Sequence, residues 1–186
     1  MSAPDASWPA GTVFTVGHST LAIEEFIAEL KAYGIERLAD IRTVPRSRHN
    51  PQSNEDALAG SLAAAGLEYL PMKELGGLRH PRKDSPNTGW RNKGFRGYAD
   101  YMQTAAFESA LDGLIALSRE KRTAIMCAEA VPWRCHRSLV ADALNVHGVP
   151  VVEILSESSA RPHKLTPFAR VEGAKIVYPP EQAALL

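Results

Sequence analysis

Two thiols, a carboxylate, an imidazole and two guanidinium groups fall in the short segment from Cys127 to Arg137, namely Cys127, Glu129, Arg134, Cys135, His136 and Arg137. The apolar run Thr123 to Met126 before it has the composition of a strand buried on both faces. After it, the spacing of Leu139, Val140, Ala143 and Leu144 predicts a helix that Gly148 ends. Cys135, His136 and Arg137 then stand where that helix opens, with its free amides directed at them. A thiol so placed, beside a cation, has its pKa lowered from about 8.5 to between about 3.5 and 7.5, so thiolate is present at neutral pH. The same amides and the Arg137 guanidinium also suit a bound phosphate or carboxylate with no covalent step. Plainer alternatives stand beside these. Free cysteine is commonly a small buried hydrophobe, and Glu129 can simply cap the side chain of Arg134 or Arg137.

Further reactive types sit where other strands should end. The run Val13 to Val16 stops at Gly17-His18-Ser19, and Leu38 to Arg42 is a second extended segment closed by Asp40 and Arg42. In an open parallel sheet ligands lie beyond the carboxyl ends of the strands, so these positions and Cys127 share one rim. Asp40 and Arg42 alternate with Ile41 and point to one face, either as an ion pair that holds the strand end or as part of a site. His18 is either a proton carrier or a neutral imidazole donating to a carbonyl.

Two stretches are locally basic. Leu78 to Gly97 carries Arg79, Arg82, Lys83, Arg91, Lys93 and Arg96 against Asp84 alone, with Trp90 and Phe95 interleaved, and Arg42, Arg46, Arg48 and His49 follow one another with no acid among them. They frame either an anionic ligand or a nucleic-acid strand, or else form a solvated surface. Known templates fit poorly. A phosphatase-type loop needs an Arg six residues after its Cys, where Cys127 is followed by Trp133 and Cys135 by Ala141. Structural zinc sites need paired short spacings that Cys127, Cys135, His136 and His18 lack.

The bulk properties confine these possibilities. A chain of 186 residues, 45% apolar, fills one ordinary core. Basic and acidic residues both number 21, so no global field recruits nucleic acid or an anionic membrane. Two cysteines make no disulfide framework, and neither a signal-peptide core nor a transmembrane run is legible, so the cytoplasm is the expected compartment.

Helical spacing recurs at Ile23 to Leu30, at Asp56 to Ala65 and from Tyr98 through Leu114, and further extended runs are expected at Leu67 to Leu70 and Pro150 to Leu155, with Lys175 to Tyr178 as an edge strand. Repeated alternation predicts a single α/β domain with a mainly parallel sheet and helices on both faces. Its expected limits are 12–180, with a loose arm over 1–11, a tail over 181–186 and a long basic flap loop inserted over 71–97.

Gly17-His18-Ser19-Thr20, Asp40-Ile41-Arg42 with Pro45 and Ser47, Leu75-Gly76-Gly77, Phe95 with Tyr98, Tyr101 and Met102, and Cys127-Ala128-Glu129 with Cys135-His136-Arg137 together resemble the bacterial domain-of-unknown-function family 488. The resemblance runs from about Thr12 to Tyr178. It implies a compact α/β domain, and it brings neither a reaction nor a cofactor with it. The expected function is an enzyme for a small anionic or nucleotide-like substrate. Cys127, Glu129, Cys135, His136, His18 and Asp40 are its candidate catalytic groups, and Arg42, Arg137, Ser19, Arg46, Arg79, Arg96, Trp90 and Tyr98 its candidate binding groups. No metal site, cofactor or membrane partner is expected. A non-catalytic nucleic-acid-binding or repair-associated module and a metal-dependent hydrolase are the alternatives.

Overall fold

Alternating short apolar strands and amphipathic helices from Val13 onward can bury their hydrophobic sides only by stacking in layers. The computed structural model, which describes residues 7–181, shows that outcome. Residues 1–6 of the expected arm and 182–186 of the expected tail lie outside the described residues. Within the rest of the arm, Trp8 packs edge-on against Phe14.

Strand β1 (Val13–Gly17) leads into helix α1 (Ile23–Ala32), where the Glu25 carboxylate accepts from the Ala22 amide and Gly34, at φ 66°, follows the last turn. Strand β2 (Arg37–Asp40), helix α2 (Glu55–Ala64) and strand β3 (Glu68–Pro71) repeat the unit. Helix α3 (Lys93–Tyr101) is capped by Asn92, whose Oδ1 accepts from the amides of Gly94 and Phe95. Thr104 caps α4 (Ala105–Glu120), so the single helical pattern expected from Tyr98 to Leu114 is two helices broken at Met102 to Thr104. Strand β4 (Thr123–Cys127), helix α5 (Arg137–Val146), strand β5 (Val151–Ser156) and strand β6 (Ser159–Pro162) complete the sheet.

The six strands lie in the order β3-β2-β4-β1-β5-β6, all parallel except the β5–β6 pair. Successive strand residues face opposite ways, so Val13, Ala39, Ile125 and Val151 pack against α3, α4 and α5, while Phe14, Leu38, Ala124 and Val152 pack against α1 and α2. The expected mainly parallel sheet with helices on both faces is therefore present. Lys175–Val177 is strand β8, but it joins β7 (Arg170–Glu172) in a separate two-stranded ribbon rather than edging the main sheet.

The expected flap is built differently from a free loop. Lys73–Leu75 form a 3-10 turn, and residues from 93 onward are already helical. The stretch between is fastened by buried Asp100, which accepts from the Arg82 amide, the Ser85 hydroxyl and the Asn87 amide group at 2.6–2.8 Å.

β1 and β4 are neighbours in register, Gly17 beside Cys127, yet the chain leaves β1 for α1 on one face and β4 for α5 on the other. That divergence opens a crevice at the carboxyl ends of these two strands, which is where an α/β sheet of this kind takes a ligand.

Candidate functional site

The crevice floor is backbone held tightly together. The His18 amide donates to the Cys127 carbonyl and the Ser19 amide to the Ala128 carbonyl, extending the β1–β4 ladder past its formal end. A Cβ on Gly17 would collide with the Glu129 carbonyl, so only glycine lets the turn after β4 fold over β1. Ser19 sits at φ 47° and Leu78 at φ 59°. They are the two non-glycine residues with left-handed backbone among those described, and both line the crevice. Such conformations are disfavoured and persist where surrounding structure enforces them, commonly at functional sites.

The two sulfurs meet. Cys127, the last residue of β4, and Cys135, two residues before α5, are paired as a disulfide with their Cα atoms 7.2 Å apart, and both are buried. The Arg137 amide donates to Cys135 Sγ at 3.5 Å, and His136 Nδ1 lies 3.7 Å from the same sulfur. His136 Nε2 is 3.0 Å from the Ile41 carbonyl. A carbonyl only accepts, so the proton of the neutral ring belongs on Nε2 and the Nδ1 lone pair faces Cys135. Burial keeps this imidazole neutral, its pKa lowered to about 4. The buried Tyr98 ring packs 5.0 Å from it.

On the neighbouring strand, Asp40 grips Arg42 with both oxygens, Nε to Oδ1 at 2.9 Å and Nη2 to Oδ2 at 2.7 Å, while the Tyr69 hydroxyl donates to Oδ2 at 2.6 Å. Arg42 Nη1 reaches His18 Nε2 at 3.2 Å, and His18 Nδ1 is 2.8 Å from the Ser19 carbonyl. The donor logic fixes this ring as well: Nδ1 carries the proton and Nε2 accepts from Arg42. Burial, the largest cause, lowers the His18 pKa, and the Arg42 charge adds to it. His18 therefore orients Arg42 and presents no free nitrogen to a ligand.

Two lobes share Arg42, Val44, Ala128 and Glu129. The first, about 390 Å³, runs between Thr43, Leu78, Phe95, Arg134 and the Cys127/Cys135/His136 group. The second, of similar volume, is lined by His18, Ser19 and Arg46. Val44 and Leu78, 59% and 75% exposed, give the opening an apolar lip beside its cations.

Several expected residues stand elsewhere. Arg137 is fully buried, with Nη2 donating to the Ala130 carbonyl at 3.0 Å and Nε and Nη1 without a partner among the described residues, and it lines neither lobe. Its desolvation lowers its pKa to about 10. Arg79 lies 3.7 Å over the Tyr101 ring, and Arg96 donates twice to the Trp90 carbonyl. Trp90 is enclosed by Phe95, Phe168 and Tyr178, which removes it as a stacking platform at the crevice. Tyr98 is spent on packing and on a 2.7 Å hydrogen bond to the Leu75 carbonyl. Among the described residues no three His, Cys, Asp or Glu side chains converge as metal ligands, and no helix is long and apolar enough to cross a membrane. Sequence reasoning missed Tyr69 and the apolar lip of Val44 and Leu78, for which a tyrosine in a short strand and two isolated aliphatics give no signal.

Fold and crevice together define a doubly covered α/β domain with a disulfide, an imidazole and a guanidinium group at the switch point of its sheet. The chain belongs to the family described as Domain of unknown function DUF488, whose model matches residues 22–144. The match takes in Asp40, Arg42, Cys127, Cys135 and His136, and leaves out His18 and Ser19. Searches of curated proteins and of solved structures each return no significant match.

Proposed function

We propose that the protein is an enzyme acting on a small anionic or nucleotide-like substrate at this crevice, with the reduced Cys135 as nucleophile. The observation that carries this reading is the meeting of Cys135 with the Arg137 amide and the His136 Nδ1 lone pair in a cleft that Arg42 and Glu129 also line. A helix-opening amide that donates to the sulfur favours the thiolate, while His136, with its pKa lowered to about 4, is too weak a base to take the thiol proton and leaves it to solvent. Arg42, locked by Asp40, Tyr69 and His18, holds the anionic group, and Arg46 extends the cationic wall. Glu129, exposed and common to both lobes, handles the proton of the leaving group. Cys127 acts as the partner thiol, so chemistry at Cys135 requires the pair to be reduced first by a thiol reductant.

The test is site-resolved alkylation of the reduced protein with iodoacetamide across pH. The expected result is fast modification of Cys135 with an apparent midpoint below the free value of about 8.5, slowed by bound phosphate or nucleotide, with that protection lost in Arg42→Ala. Inert cysteines after full reduction would remove the nucleophile. A non-catalytic nucleic-acid-binding role is left with the exposed Arg46, Arg48 and His49, since Trp90 is packed away.

A further inference from the structure

A second cleft, of about 400 Å³, lies on the β5–β6 side of the molecule and shares no lining residue with the crevice described above. Its volume is in the range that small-molecule sites occupy, about 300–1,000 Å³. Trp133 stands at its edge with 58% of its surface exposed, the most exposed large apolar side chain among the described residues once Leu78 and Val44 are set aside as parts of the crevice lip. The indole face is thus open to a ligand entering the cleft. Phe168 supplies a second aromatic wall.

The charged groups are arranged in two layers. Inside, the His163 ring is held between two carboxylates, Nε2 to Asp142 at 2.7 Å and Nδ1 to Glu153 at 2.8 Å, and the Tyr178 hydroxyl donates to the other Asp142 oxygen. Burial opposes charge on this ring, but the hydrogen bonds it donates to both carboxylates outweigh it and raise the pKa to about 9. One imidazolium against two carboxylates leaves one negative charge, which the Arg161 ion pair with Glu153 balances. Outside, Arg161 spends only Nε on Glu153, at 2.7 Å, and its guanidinium carbon lies 5.6 Å from the Trp133 ring centre. Among the described residues its two terminal nitrogens have no hydrogen-bond partner, and the exposed Lys164 makes no ion pair. The cleft thus offers an aromatic face beside two cationic heads, with its carboxylates already engaged.

We propose that this cleft binds a nucleoside monophosphate, or an equivalent planar ring carrying a phosphate, with the ring stacked on Trp133 and the phosphate held by Arg161 and Lys164. Stacking on an indole is tolerant of ring identity, and the guanidinium supplies a forked donor for phosphate oxygens. The site does not rest on the thiol chemistry at the crevice.

The test uses adenosine monophosphate, adenosine and inorganic phosphate as probes, followed by calorimetry and by tryptophan emission. The expected result is saturable binding of adenosine monophosphate with quenching of emission, much weaker binding of either half alone, and affinity about tenfold lower in Lys164→Ala or Arg161→Ala for the loss of one charge-assisted contact. Trp133→Ala should abolish both signals. Lys164→Ala lies on the surface and leaves Glu153 with its His163 partner, so its fold is not at stake. No saturable binding at millimolar nucleotide, or an affinity unchanged in Lys164→Ala and Trp133→Ala, overturns the proposal. Because both clefts are cationic, Arg42→Ala separates them: nucleotide binding that falls in Arg42→Ala but not in Lys164→Ala belongs to the crevice and also overturns it. Alkylation of Cys135 in Lys164→Ala should match the unaltered protein, so failure here leaves the crevice reading standing.

Discussion

Cys127 and Cys135 close a covalent ring around the turn that carries Glu129 and Trp133, joining the end of β4 to the residue pair that opens α5. The pairing lies on the crevice wall, so the redox state of one bond decides whether a free thiol exists there at all. Protein purified without reductant should present no alkylatable thiol, and the same protein after reduction should present both of its cysteines. Thiol titration with mass spectrometry reads the difference. Two titratable thiols before any reductant would mean that the pair rests reduced and that the site is open by default.

Arg42 owes its position to Asp40. Both Asp40 oxygens are engaged and the pair is almost wholly buried, so removing the carboxylate charge leaves a desolvated guanidinium with only His18 to face. Asp40→Asn should lower stability by about 3–5 kcal/mol, while Tyr69→Phe, which deletes one hydrogen bond to the same carboxylate, should cost only about 0.5–1.5 kcal/mol. Urea unfolding of the two variants should rank them in that order. Equal losses would show that Tyr69, not the ion pair, anchors the strand end.

Much of this arrangement was legible in the residues, and the exceptions have physical causes. Strand ends were readable because short β-branched and aliphatic runs stop at Gly17, Asp40 and Cys127, and the α/β alternation forced those ends onto one rim. What a periodicity cannot give is the depth of a long polar side chain. Arg137 reads as a surface anion binder at a helix start, yet the turn before α5 folds over it and takes one of its donors for the Ala130 carbonyl. Trp90 and Arg96 read as a basic, aromatic flap, and long-range packing by Phe168 and Tyr178 enclosed the ring. The His163 network joins α5, β5 and the strand-end loop through residues far apart in the chain, so no local spacing announces it.

Glu29 on α1 is buried with no ion-pair partner among the described residues, and that burial raises its carboxyl to about 7 despite the attraction of Arg137, with Glu157 adding to the rise. A folded pKa above the unfolded value of 4.5 means that the folded state is favoured below 4.5 and loses that advantage as pH rises through 7. Glu29→Gln should therefore have little effect near pH 4.5 and should stabilise the protein at pH 8, by about 1–3 kcal/mol. Thermal unfolding at the two pH values checks this. Destabilisation by Glu29→Gln at pH 8 would mean that the carboxylate is held as an ion by Arg137.

His163 gives the opposite kind of pH dependence from that of a buried neutral histidine such as His136. Burial works against its charge, but the hydrogen bonds it donates to Asp142 and Glu153 carry its pKa from 6.5 up to about 9. A raised folded value makes the stabilisation complete below 6.5 and removes it as pH climbs through 9. His136, lowered to about 4, contributes in the other direction: its stabilisation is full above 6.5 and is lost as pH falls toward 4. Replacing His163 with Gln keeps the ring's approximate reach while deleting its charge, leaving two buried carboxylates to face each other, and should destabilise the protein by about 3–5 kcal/mol at pH 6. The gap between His163→Gln and the unaltered protein should then narrow steadily from pH 6.5 to pH 9 in urea titrations, because only the unaltered protein loses a proton there. A gap that stays constant across that window would mean that His163 holds the two acids as a neutral ring, with one of them carrying the proton.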